Sequence, residues 1–70
     1  MVNHVTLVGK VVNQFKCTIV LDVDNEYIAV NAPEDFDMPE FMEGQIVGVR
    51  GRIVEHQQVL IDSITLIKEN

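Results

Sequence analysis

The sequence predicts an all-β protein, a five-stranded barrel closed in Greek-key order, and three observations carry that expectation. Residues 45–55 alternate, with Val47, Val49, Gly51 and Ile53 on one face and Ile46, Gly48, Arg50 and Arg52 on the other. A period of two marks a half-buried strand, not a helix. Gly9 interrupts a strand-like run, which costs strand stability unless the chain bends there. A small closed barrel needs such a bend, so that one long strand can serve both halves of the sheet. Finally, three strand-like runs precede a proline-bearing break at residues 32–44, and two follow it.

The first strand is expected over residues 2–13. Val5, Leu7 and Val11 share one face, while His4, Thr6, Val8, Lys10 and Val12 share the other. Both faces are partly apolar, so the second is expected to meet another subunit. Asn13, Gln14 and Phe15 read as a tight connection. The second strand, residues 16–23, turns Cys17, Ile19, Leu21 and Val23 inward and Lys16, Thr18, Val20 and Asp22 outward. Asp24-Asn25 reads as a hairpin turn, because both residue types favour turns and tolerate left-handed geometry. In the third strand, residues 26–31, Ile28 and Val30 point inward and Tyr27, Ala29 and Asn31 outward.

Residues 32–44, APEDFDMPEFMEG, are expected to form a plug, irregular or with one helical turn. Pro39 suits a first helical position, Asp37 a place near the cap and Gly44 the end. Phe36, Met38, Phe41 and Met42 would close one end of the barrel. After the fourth strand and a short connection at residues 55–58, the fifth strand spans residues 59–67 and is rich in branched side chains. Its apolar pattern slips by one residue near Asp62 and Ser63, as a bulge would cause. Three strands, a plug and two strands is the order of the OB-fold, whose outer strand face and loops bind oligonucleotides or oligosaccharides.

Seventy residues make a single domain, 1–70, whose core is marginal without reinforcement, and self-association would supply it. The one cysteine excludes an internal disulfide and a zinc cluster, and Cys17 is expected to be a small buried core residue. His4 and His56 have no ligand spacing between them; His4 is expected at a subunit contact and His56 in a solvated loop. No metal or cofactor is expected, and no nucleophile or carboxylate pair has the spacing of an enzyme. No apolar run approaches the roughly 18 residues of a membrane span, and no basic region precedes the N-terminal apolar residues, so a cytoplasmic protein is expected. The formal charge of −6 opposes phosphate binding. Yet Glu34, Asp35, Asp37, Glu40 and Glu43 all fall in the plug; without those, six acids stand against five bases, and the sheet can carry a basic face.

The run VNHVTLVGKVV resembles the opening strand of bacterial single-stranded DNA-binding proteins, N-x-V-x-L-x-G followed by Arg or Lys, through Asn3, Val5, Leu7, Gly9 and Lys10. MEGQIVGVRGRI resembles the same family's Gly-polar-apolar-Val-x-Val-x-Gly-Arg run through Gly44, Val47, Val49, Gly51 and Arg52, and IDSITLI is similar to its final strand. A primosomal group of OB-fold proteins shares much of this pattern. The chain departs from the family in lacking the long hairpin between the last two strands, the acidic tail and any tryptophan. The resemblance implies a minimal, cellular or phage member that binds single-stranded DNA with little sequence preference, in replication, recombination or repair, with the choice between DNA and RNA left open. It also implies a homo-oligomer, formed through the first strand. Lys10, Lys16, Arg50 and Arg52, which alternate onto the outer face, would hold phosphates, while Tyr27 and Phe15 would stack bases. The rival expectation is an interaction module that docks a replication or recombination protein through its acidic 34–43 segment.

Overall fold

The computed structural model describes residues 3–54 and 58–69. The connection expected at residues 55–58 lies, except for Gln58, outside the described residues, and so does His56. The strands are β1 (Asn3–Phe15), β2 (Thr18–Val23), β3 (Glu26–Asn31), β4 (Ile46–Ile53) and β5 (Val59–Lys68). They close into a barrel in the spatial order β1-β2-β3-β5-β4, which is the all-β, five-stranded architecture expected of the sequence.

β1 serves both halves of the sheet. Asn3 to Lys10 pair with β4 and Lys10 to Phe15 with β2, so the strand changes neighbours at Lys10. Gly9 allows that change. A Cβ at Gly9 would lie 2.8 Å from Val23 Cγ2 and 2.9 Å from the Asp22 carbonyl oxygen, closer than a side chain tolerates. Three residues after Gly9, Val12 bulges out of the ladder between Val11 and Asn13, and it is half-buried.

β1 also runs on through Asn13, Gln14 and Phe15, which were expected to form a connection. The turn is Lys16-Cys17, with Lys16 in the left-handed region at φ 55°, and Cys17 is exposed. Alternation put this thiol in the core because it counted turn residues as strand. Asp24 and Asn25 do make the next turn, at φ 52° and 67°. Two successive positive φ values suit the right-handed twist of the flanking strands.

Val11, Ile19, Leu21, Val30, Val47, Val49 and Ile61 are fully buried. Removing each such side chain from water contributes roughly 1.5–3 kcal/mol, the main force holding so small a barrel. The plug is irregular, with no helical turn among the described residues. Phe36, Met38 and Phe41 pack against the core, whereas Met42 is exposed. One side chain clamps the plug in place: Gln14 Nε2 donates to the Pro39 carbonyl at 2.9 Å, and Gln14 Oε1 accepts from the Phe41 N–H at 2.9 Å. The plug's end then joins the ladder, since Val11 N–H donates to the Gln45 carbonyl at 2.8 Å and Gly44 N–H to the Val11 carbonyl at 2.9 Å.

In β5 the expected bulge is present. Arg50 faces Ser63 and Gly51 faces Ile61, which leaves Asp62 unpaired; a second irregularity leaves out Ile67 between Leu66 and Lys68. On its other side β5 meets β3 in only two parallel pairs, Val30 with Val59 and Asn31 with Leu60. From Ile61 onward, β5 has β4 on one edge and no paired strand on the other among the described residues.

Candidate functional site

Three neighbouring cross-strand rows of the outer face of β1, β4 and β5 are Thr6–Arg50–Ser63, Val8–Gly48–Thr65 and Lys10–Ile46–Lys68; His4–Arg52–Leu60 continues the same face beyond the first. Successive rows are two residues apart along the strands, about 7 Å. The middle row is open and partly apolar. Val8 is 53% exposed and Ile67 56%, and Ile67 lies over Gly48, where a Cβ would meet its Cδ1 at 2.9 Å. The small residue thus forms a shelf for the bulged isoleucine. The outer rows carry Arg50 on one side and Lys10 and Lys68 on the other. Among the described residues none of these three cations makes an ion pair.

Arg52 behaves differently. Its Nε lies 3.2 Å from Asp62 Oδ1, yet this nitrogen is buried and makes no hydrogen bond. The pair is therefore a bent, electrostatic contact, and the bulge that pushes Asp62 out of the ladder is what brings it there. Beside it, Thr6, Arg50, Asp62 and Ser63 line a shallow depression of about 270 Å³.

The remaining expected site residues lie elsewhere. Phe15 is 68% exposed and Tyr27 72%. They sit in different rows, Phe15–Thr18–Asn31 and Lys10–Asp22–Tyr27. Four residues of strand and two strand spacings separate them, roughly 16 Å. Lys16 Nζ stands 5.4 Å from the centroid of the Phe15 ring, so the ring and the cation already engage one another. Of the six residues taken together from the sequence, Lys10, Arg50 and Arg52 share the outer face, and Tyr27 continues the Lys10 row two strands away across Asp22. Arg52 is turned to Asp62, Phe15 and Lys16 form a pair at a turn, and Tyr27 stands near the opposite hairpin tip. Sequence reasoning missed Lys68 and Ile67. Alternation continued from Ser63 and Thr65 puts Ile67 on this face, whereas Lys68 reaches it only through the bulge at Ile67, which no local residue signals.

Among the described residues no three of His, Cys, Asp and Glu come together to hold a metal ion, and no helix is long and apolar enough to cross a membrane.

No family model matches this chain, and no curated protein matches it. Among solved structures it is similar to apo-CusF residues 6–88 from Escherichia coli, with a TM-score of 0.79 at 13% identity, over 97% of this chain and 92% of that one. This corrects the resemblance to single-stranded DNA-binding proteins and to primosomal OB-fold proteins: a chain of the same shape is CusF. The motifs explain why the resemblance misled. Val5, Leu7, Gly9, Val47, Val49 and Gly51 are all inward-facing partners in the β1–β4 ladder, so Val-x-Leu-x-Gly and Val-x-Val-x-Gly report how a small barrel fills its interior. They carry no information about what lies outside it. The single-stranded nucleic-acid partner and the role in replication, recombination or repair are withdrawn with the family. So are the docking of a replication or recombination protein through 34–43 and the homo-oligomer through the first strand. What the comparison establishes is the barrel itself, shared with CusF at an identity that carries fold and no further.

Proposed function

We propose that this chain is a non-enzymatic binding module that takes an acidic, partly apolar segment of a partner protein on the outer face of β1, β4 and β5. One observation carries the reading: in a chain of formal charge −6, three of the five cations border one strip of exposed valine and isoleucine. The rows that bear them stand about 13 Å apart. Five acids, Glu34, Asp35, Asp37, Glu40 and Glu43, lie instead on the plug. Asp22 lies opposite Lys10 and Glu69 beside Lys68, yet the cations that border the strip favour an acidic partner over a basic one. The apolar strip between the cations supplies the burial that holds it, and an apolar centre with a polar rim is the usual anatomy of an interface.

The non-enzymatic part of the reading has its own support. His4, Asp62 and Ser63 line the same depression, but among the described residues their side chains share no hydrogen bond. A nucleophile, a base and its orienting group work only in hydrogen-bonding reach of each other.

The test is fluorescence anisotropy with a labelled decapeptide of alternating glutamate and valine, against its lysine–valine counterpart. The acidic peptide should bind saturably and weaken as salt rises, and the Lys10→Glu, Lys68→Glu double variant should lose about tenfold in affinity, or about 1.4 kcal/mol. Equal binding of both peptides, or of neither, refutes the proposal.

A further inference from the structure

We infer that the acidic segment binds as an added β-strand along the free edge of β5; this rests on the function proposed above and specifies its geometry. From Ile61 to Lys68 the backbone of β5 is paired, among the described residues, only to β4. An unpaired edge presents a row of N–H and C=O groups that a further strand can satisfy. The side chains here fit the same conclusion. Of residues 63–68, Ile64 packs against the core and Ser63, Thr65, Leu66, Ile67 and Lys68 are exposed, so the outer face of this half of the strand is open as well as its edge. Leu66 is 40% exposed even though its ladder partner, Val47, is fully buried. An apolar residue placed beside Leu66 by a neighbouring strand would complete the barrel rim.

Charge decides which strand fits. On the outer face Lys68 would adjoin the added strand directly. Arg50 would stand about 10 Å from it, two strand spacings away, across the small side chains of Ser63 and Thr65. Asp62 on this edge is already turned to Arg52. The occupant is thus an extended partner segment whose alternate residues are acidic outward and apolar inward. A lipid surface offers no row of backbone donors and acceptors in register, so a polypeptide is favoured over an anionic membrane.

The experiment uses the glutamate–valine decapeptide in two forms, N-methylated on one or the other set of alternate residues, together with amide hydrogen exchange of the whole chain. In an added strand only one set of peptide N–H groups faces β5. One methylated form should therefore bind about tenfold more weakly than the parent and the other nearly unchanged. Alternate amides between Ile61 and Lys68 should exchange more slowly with peptide bound. If the parent peptide binds but both methylated forms bind alike and no β5 amide is protected, docking is by side chains alone; the added strand is then refuted while the proposed function stands. If the parent does not bind, that function fails and the inference with it. Protection that appears without peptide as protein concentration rises would assign the edge to a second copy, and would also overturn the proposal.

Discussion

Replacing Gly51 by alanine should destabilise the barrel more than any other glycine-to-alanine change on its sheet. Gly51 is buried in β4 opposite Ile61, next to the Asp62 bulge. A Cβ there would stand 2.4 Å from the Leu60 carbonyl oxygen, 3.1 Å from its carbon and 3.2 Å from Val59 Cγ1. The first distance falls about 1 Å short of ordinary contact, and the obstacle is backbone, which cannot swing aside. Leu60 is also paired to Arg52 in β4 and to Asn31 in β3, so moving it strains two ladders at once. Overpacking costs about 1–3 kcal/mol, and a backbone obstacle puts this site in the upper half of that range. In a domain of this size each kcal/mol shifts the midpoint by about 4–8 °C, which gives a loss of roughly 10–20 °C. Gly48→Ala is the control. Its Cβ meets only the tip of the exposed Ile67 side chain, which can rotate away, and the change should stay within about 0.5 kcal/mol of the parent. Thermal and urea unfolding, with coincident probes to check two-state behaviour, read both variants. A Gly51→Ala protein as stable as Gly48→Ala would refute the close-approach argument.

Gln14→Ala removes both hydrogen bonds that clamp the plug; at about 1 kcal/mol net each, the loss should be about 1–2 kcal/mol, with faster exchange of the Phe41 amide as its local signature. Asn25→Gly should be neutral or stabilise by up to about 1 kcal/mol, because glycine takes positive φ without steric cost, whereas Asn25→Val should destabilise, both measured by urea unfolding. Cys17, exposed at its turn, should react fully with a thiol reagent in the native protein, at a rate unchanged by mild denaturant; protection until unfolding would return it to the core.

The strands were legible because their inward faces obey one rule. Val5, Leu7, Val11, Ile19, Leu21, Val30, Val47 and Val49 alternate without interruption, and the bulge at Asp62 announced itself as a slip in that rhythm. Cys17 was misread because nothing in Phe15-Lys16-Cys17 marks a turn: a lysine in the left-handed region is uncommon, and only closure of the hairpin imposes it there. The face formed by Lys10, Arg50 and Lys68 was half legible. Alternation assigns residues to a face, but which strands stand side by side depends on the barrel's stagger, and that places Lys68 and Tyr27 in one row with Lys10, on its two sides across Ile46 and Asp22. The family resemblance failed for a related reason, since the residues that carried it are the ones that any chain folding into this barrel would place inside.

The two-pair contact between β3 and β5 bears on how the molecule moves. Every other neighbouring strand pair is held over at least five residues, whereas this closure has, among the described residues, two pairs, Val30 with Val59 and Asn31 with Leu60. Fluctuations should concentrate there. The wall parts along a single line, wetting Val30 and Val59 from outside, while the remaining four junctions keep every strand attached to a neighbour.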